Sequence, residues 1–282
     1  MEKDNSSEVI SDSTSDPSLQ STQGILYYAR GERWIQEVLQ SAQSVKVAMP
    51  EIKTAILSDT QLPKELFDIQ IKAPSEVGVK QLKMWSLRQT PFQKTLYLDT
   101  DTYVADSLWE IFEMLDQFDL ALAVTPYWKI DLHKNGGNIE EKGVPVCFPK
   151  LNTGVIAYQK NQQTNRLFAN WAKLHKEWGE GQDQAPFRNT LYNSDIRFGV
   201  LPPAYNYRLP YPDGIWGCVK IFHGRHQNLP NLCKNINRSQ DWRITSPIKY
   251  KDTSIFYEKR NWRQLLKRGM KKFQSVFQGN EI

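Results

Sequence analysis

Cysteine is scarce in this chain of 282 residues: Cys147, Cys218 and Cys233 are all there are, and none stands in a Cys-x-x-Cys spacing. Three cysteines cannot all pair, so no disulfide framework is expected, and neither a zinc nor a redox motif is present; a reducing compartment fits best. Long apolar runs are missing too. Nothing approaches the ~20 residues that would span a bilayer, and the N-terminus lacks a positive start followed by an apolar segment. A cytoplasmic protein is expected, so the sequons at Asn5 and Asn237 carry no weight. Internal repeats are absent, as is a linker between residues 24 and 245. An even spread of positive charge is also lacking. Of the net +5, residues 255–277 hold seven bases against Glu258, residues 1–23 hold five acids against Lys3, and the remainder is close to neutral. That distribution excludes nucleic-acid binding as the main function.

What is present divides into three parts. Residues 1–23 are rich in Ser, Asp, Gln and Thr with almost no large apolar side chains, so they cannot offset the entropy lost on ordering; a disordered acidic tail is expected. From Gly24 to residue 245, short apolar runs alternate with helical patterns. Ile25–Ala29, Thr54–Asp59, Phe67–Ile71 and Thr95–Leu98 read as strands, and Trp34, Ile35, Val38 and Leu39 read as one face of a helix. A partly helical segment covers 79–89. Later runs at Leu120–Val124, Leu151–Tyr158, Phe198–Leu201 and Val219–Phe222 are expected to extend the same sheet, with Leu167, Trp171 and Leu174 on an intervening helix. This alternation predicts a single α/β domain, with a mixed, mostly parallel Rossmann-like sheet flanked by helices and ligands bound beyond the carboxyl ends of its strands. Residues 246–282 form the third part. Trp262, Leu265, Leu266, Met270, Phe273, Val276 and Phe277 recur at helical spacing between the bases, a basic amphipathic helix that either lies at the cytoplasmic membrane face or packs on the domain.

The chemistry is concentrated at Asp99-Thr100-Asp101, which ends the strand Thr95–Leu98. Two carboxylates at i and i+2 project from the same face of the chain and call for a divalent cation, which would act as a Lewis acid toward a leaving diphosphate. The plainer alternative makes Asp101 the cap of a helix over 106–115 and Asp99 an exposed strand end. Haloacid-dehalogenase-like phosphatases also carry such a pair. Their motif lies near the start of the domain and continues to Thr or Val where Tyr103 stands here, so this is the weaker parallel.

The closer resemblance is to the nucleotide-sugar glycosyltransferases of the GT-A fold, in particular family 8, the glycogenin and bacterial galactosyltransferase group. Thr95–Val104 resembles that family's strand and metal-binding Asp-x-Asp. Lys83, in Leu82-Lys83-Met84-Trp85, stands where the family has a donor-contacting lysine, and Asn152-Thr153-Gly154 resembles the segment that approaches the donor sugar. Asp183-Gln184 resembles the turn that opens a helix beside the reacting centre, and Ile221-Phe222-His223-Gly224 resembles the late motif whose histidine completes the metal shell. The Lys-Pro-Trp that usually follows is missing. Arg225 is the available substitute for its phosphate contact, while His226 reads as a surface residue.

The resemblance implies a retaining, metal-dependent hexosyltransferase. Asp99, Asp101 and His223 would hold Mn2+ or Mg2+. Tyr27, Tyr28, Ala29, Lys83, Thr100, Asn152, Thr153, Gly154, Gly224 and Arg225 would hold a nucleoside-diphosphate sugar, UDP-linked by expectation, and Asp183 and Gln184 would act at the reacting centre. One of the two tyrosines must face the core, because alternate strand residues point opposite ways. Asp59 is a less specific candidate. The acceptor, a glycan, protein or lipid, is expected under a long loop over 126–150 containing Tyr127 and Trp128. A degenerate domain that binds nucleotide sugar without turnover is the alternative raised by the missing Lys-Pro-Trp.

Overall fold

The computed structural model describes residues 22–125, 143–145, 147–210 and 213–245. The expected tail over 1–21, most of the 126–150 loop with Tyr127 and Trp128, and the basic C-terminal segment lie outside the described residues. The chain runs β1 (Gln23–Ala29), α1 (Glu32–Ala48), β2 (Lys53–Ser58), β3 (Ile69–Lys72), α2 (Leu82–Arg88), β4 (Lys94–Leu98), β5 (Thr102–Val104), α3 (Trp109–Met114) and β6 (Leu120–Ala123). It continues through β7 (Val155–Gln159), α4 (Gln162–Glu177), α5 (Gln184–Tyr192), β8 (Phe198–Leu201), β9 (Tyr207–Arg208), β10 (Asp213–Ile215), β11 (Ile221–His223), α6 (Leu229–Ile236) and β12 (Arg243–Thr245). Gln23, expected in the tail, opens β1 instead, where it pairs with Lys94.

Seven strands form the main sheet in the order β3-β2-β1-β4-β7-β6-β8. Only β7 runs against the others, since it is antiparallel to both neighbours while the remaining pairs are parallel. Both faces are covered, which explains why the strands read as continuous apolar runs. Ile25, Tyr27, Leu96, Leu98, Ala121, Val155 and Ala157 face a core shared with Val38, Ala42 and Val45 of α1 and Ile111 and Phe112 of α3. Their alternates, Leu26, Tyr97, Leu120, Leu122, Ile156 and Tyr158, face Met84 and Leu87 of α2 and the large side chains of α4 and α5. Asn161 starts α4 with a reciprocal cap: its side chain accepts from the Thr164 amide, and its own amide donates to the Thr164 hydroxyl.

One expectation fails. The run Val219–Phe222 does not extend the main sheet; its strand β11 lies in a separate three-stranded sheet ordered β5-β11-β9. After Asp101 the chain leaves the main sheet, and β5 takes β11 as an antiparallel partner in the register His223↔Thr102. Tyr207, Phe222, Leu229 and Leu232 fill a small core under that sheet. Among the described residues no helix is long and apolar enough to cross a membrane, and the three cysteines are unpaired.

At the far edge of the main sheet, Asp68 accepts from Lys46 and Lys53 at 2.9 Å each and from the Thr54 amide at 2.9 Å. Burial raises its pKa, but these partners outweigh burial and bring the carboxyl well below its usual range. A depressed carboxylate contributes stability that is fully present above its unfolded pKa of about 3.9 and is lost as the pH falls through the folded value. Asp68→Asn is therefore expected to cost about 1–2 kcal/mol at pH 7. It is also expected to flatten the loss of stability below about pH 4, which urea titrations of both proteins between pH 2 and 7 would check. Equal acid dependence in the two would show that Asp68 is not responsible.

Candidate functional site

Strand order reverses between β1 and β4, and their pairing stops at Leu26↔Tyr97, so the two strands part toward their carboxyl ends and leave a crevice. Asp99 emerges there. The Asp99 amide donates to the Gly154 carbonyl at 2.8 Å, which ties the turn after β4 to the segment entering β7. Pairing of β5 with β11 then brings His223 back beside the turn, secured by the Gly224 amide donating to the Asp101 carbonyl at 2.9 Å.

The result is a three-residue cluster. Ligand atoms of Asp99, Asp101 and His223 all lie within 4.8 Å of one another. His223 Nε2 is 3.4 Å from Asp101 Oδ1 and 3.8 Å from Asp99 Oδ2. Each carboxylate turns its other oxygen toward a cation: Lys83 Nζ lies 3.1 Å from Asp99 Oδ1, and Arg225 Nη1 lies 3.5 Å from Asp101 Oδ2. The Tyr97 hydroxyl also donates to Asp99 Oδ1, at 2.9 Å. Burial raises the Asp101 pKa, but while His223 is protonated it outweighs burial, with Arg225 and Arg208 adding to it, and the carboxyl lies below its usual range. Two hard oxygens and an imidazole nitrogen aimed at one point form a donor set suited to a divalent cation. Gly154 closes the cradle. A Cβ built there would stand 2.0 Å from His223 Cε1 and 2.7 Å from Asp99 Oδ2, so this position has no room for a side chain.

A second charged group abuts the first. Lys83 Nζ lies 3.0 Å from Asp183 Oδ2 as well as 3.1 Å from Asp99 Oδ1, and Thr153 Oγ1 donates to Asp183 Oδ2 at 3.0 Å. Burial lowers the Lys83 pKa, but Asp183 and Asp99 outweigh it and the net shift is upward. Burial likewise raises Asp183, and Lys83 overcomes it, so that carboxyl is held below its usual range. Asp183 occupies the residue before α5 yet makes no side-chain cap there. Its backbone is pinned by the Trp171 indole, which donates to the Asp183 carbonyl at 2.8 Å, and its carboxylate is left to face Lys83. Gln184 stands one step away, its Oε1 accepting from Thr125 Oγ1 at 3.4 Å.

The expected residues therefore converge with a few exceptions. Asp99, Asp101, His223, Lys83, Thr153, Gly154 and Asp183 form one connected site. Asn152 joins it from below: its Oδ1 accepts from the Gly154 amide at 2.9 Å, while its buried Nδ2 has no hydrogen-bond partner. Asp101 does not cap a helix: α3 begins later, after Leu108, which makes no side-chain cap. Thr100 turns away, its hydroxyl donating to Glu37 Oε2 at 3.1 Å. Gly224 contributes backbone, with φ near 135°. Arg225 sits at the rim, its guanidinium 5.1 Å from the Trp34 ring, with Nε and Nη2 donating to Glu37 at 2.6 and 3.0 Å. Asp59 pairs with Arg30 at 3.1 Å. His226 is half-buried at the surface, its Nδ1 accepting from the Asn228 amide.

Tyr27 is a correction. It is fully buried against α1, where its hydroxyl pairs with Ser41 Oγ at 3.0 Å, and it has no access to the crevice. Ala29 shares that core. The alternation leaves half-buried Tyr28 as the tyrosine on the α2 side, packed against the cluster of Leu57, Ala73 and Leu82. Tyr27→Phe is expected to lower stability by about 1 kcal/mol through the lost hydrogen bond and to leave ligand binding unchanged. Chemical denaturation with parallel nucleotide binding checks this, and weakened binding at unchanged stability would contradict it.

Sequence reasoning missed Tyr97, Glu37 and Asn206. Glu37 and Asn206 act through partners far away in the chain, which no local spacing announces, whereas Tyr97 shares a strand face with Asp99 two residues on and could have been found from that alternation.

No protein-family model and no curated protein matches the chain. Solved structures do match. The apo form of the glycosyltransferase GlyE from Streptococcus pneumoniae TIGR4 is similar with a TM-score of 0.51 at 16% identity, over 78% of this chain and 61% of GlyE. The apo structure of WbbM, a bifunctional glycosyltransferase, is similar with a TM-score of 0.53 at 12% identity, over 76% of this chain and 47% of WbbM. The chain thus spans less than two thirds of the length of either. The shared architecture is the GT-A fold, and with it the phosphatase parallel drawn from the Asp-x-Asp is set aside.

Proposed function

We propose that the protein is a metal-dependent, retaining glycosyltransferase that moves a hexose from a nucleoside-diphosphate sugar, UDP-linked by preference, to a hydroxyl acceptor. The observation that carries this reading is the convergence of Asp99, Asp101 and His223 at the switch point of a GT-A sheet, around a glycine that leaves them no room for a neighbouring side chain. Mn2+ or Mg2+ held by Asp99 Oδ2, Asp101 Oδ1 and His223 Nε2 would supply Lewis-acid stabilisation of the departing diphosphate. The chain's own groups supply the rest. Lys83 balances the charge of Asp99 and Asp183, and Arg225, held by Glu37 and Asp101, supplies positive charge at the rim for phosphate oxygens. Asn152 supports the site from beneath, its Oδ1 accepting from the Gly154 amide. Asp183, held ionised, is placed to stabilise positive charge developing at an anomeric carbon, with Gln184 beside it.

Thermal denaturation with UDP, GDP and a panel of UDP-sugars, each with and without manganese, tests the proposal, because a ligand that binds only the native state raises Tm. The expected result is an increase with UDP that requires manganese, followed by sugar-nucleotide turnover. A protein that melts cooperatively and responds to no nucleotide with metal would overturn the reading. Binding without hydrolysis or transfer would replace it with a nucleotide-sugar-binding role.

A further inference from the structure

His223 can serve the cluster only if the nitrogen facing Asp99 and Asp101 carries a lone pair. A neutral imidazole has one proton, and its position is set by what the other ring nitrogen touches. Left to the carboxylates, the proton would go to Nε2, since Asp101 Oδ1 lies 3.4 Å away and Asp99 Oδ2 3.8 Å away, both able to accept it. The opposite nitrogen decides otherwise, and the direction of each hydrogen bond can be traced from the backbone.

The Gly154 amide can only donate, so the Asn152 atom 2.9 Å from it is the carbonyl oxygen Oδ1. The Asn206 atom 2.9 Å from that oxygen must then be the donor Nδ2. This leaves Asn206 Oδ1 facing His223 Nδ1 at 2.8 Å, and an oxygen there requires that Nδ1 carry the hydrogen. Every member of the relay is buried: Asn152 is 1% exposed, Asn206 2% and His223 3%. Water therefore does not offer an alternative partner.

We propose that Asn206 is a positioning residue that holds His223 as the Nδ1–H tautomer and so presents the Nε2 lone pair to the space between Asp99 and Asp101. The role of that lone pair as a cation ligand rests on the proposed function, whereas the tautomer itself does not. Asn206 follows the short 3-10 turn Pro203–Tyr205, just before β9, and its side chain spans the gap between the Asn152 loop and β11.

The test uses the metal-free full chain with 15N-labelled histidine, at a pH where the His223 ring carries one proton. Long-range proton–nitrogen correlation spectra distinguish the two tautomers, with His223→Gln assigning the signal. Wild type is expected to be Nδ1–H. Asn206→Ala is expected to shift His223 toward Nε2–H, and manganese affinity measured by calorimetry is expected to fall 10- to 100-fold, the usual cost of removing a group that orients a metal-binding histidine. Asn206→Asp, which keeps an acceptor for Nδ1–H, is expected to retain the wild-type tautomer. Nε2–H in the wild type would overturn the proposal, whatever the variants do. A folded Asn206→Ala protein with Nδ1–H and manganese affinity within threefold of wild type would overturn it too. Nδ1–H in a wild type that binds no manganese would uphold the tautomer and overturn the cation reading.

Discussion

Asp101→Asn is expected to abolish manganese-dependent stabilisation by UDP and to lower transfer about 10³-fold, while the metal-free protein still folds. The substitution is nearly isosteric and removes a carboxylate charge that faces Arg225 Nη1 at 3.5 Å. The carboxyl is held below its usual range, so near neutral pH the lost group is an anion. What keeps the fold is backbone: the Asp101 carbonyl accepts from the Gly224 amide, and an asparagine backbone does so equally well. The side-chain amide oxygen that the substitution introduces is a poor ligand, because a neutral oxygen attracts a divalent cation far less than a carboxylate does. Melting curves with UDP, with and without manganese, are the direct measurement. Metal dependence identical to wild type would remove Asp101 from the site.

A different kind of damage is expected from Gly154→Ala. Here no charge changes, yet activity is expected to fall at least about 100-fold, since misplacing a ligand by about an ångström is enough for that loss. The added methyl would stand 2.0 Å from His223 Cε1, 2.7 Å from Asp99 Oδ2 and 2.8 Å from His223 Nε2, and none of these atoms is the free end of a flexible chain. His223 is held by Asn206 at Nδ1, and Asp99 by Tyr97 and Lys83, so relief requires breaking one of those contacts or shifting the start of β7. The stability cost is expected to be about 1–3 kcal/mol, as for other overpacked interiors. The glycine is needed for space, because its φ is not positive. Manganese titration and denaturant unfolding are the measurements: both variants are expected to lose the cation, and Gly154→Ala is expected to lose stability through overpacking as well. A fully active, fully stable Gly154→Ala protein would mean that His223 does not occupy this position.

Much of the architecture was legible because it is written in short-range patterns. The strands β1, β2, β4 and β7 each coincide with a mostly apolar run, since both of their faces are buried. The Asp-x-Asp and Asp183-Gln184 could be found for a related reason: one follows the end of β4 and the other opens α5, where a chain of this alternation places its ligand-facing residues, while Asn152-Thr153-Gly154 enters the antiparallel β7. The order of motifs then suggested the fold that the solved glycosyltransferases share.

What the amino-acid sequence determined by itself was therefore the class of fold, the carboxylate pair and the segments that reach it. Tertiary structure decided the rest. Alternation along β1 required Tyr27 and Tyr28 to face opposite ways, but only the packing of α1, with Ser41 ready to pair with the hydroxyl, sent Tyr27 inward. The apolar run before His223 suits either sheet, and only the antiparallel register with β5 put it in the smaller one, beside Asp101. Glu37 holds Arg225 from α1, and Asn206 holds His223 from the turn before β9. The physical reason is common to all of these. Burial and periodicity act between neighbours and leave a mark in local spacing, whereas a hydrogen bond between distant residues depends on a register that exists only once the whole chain has folded.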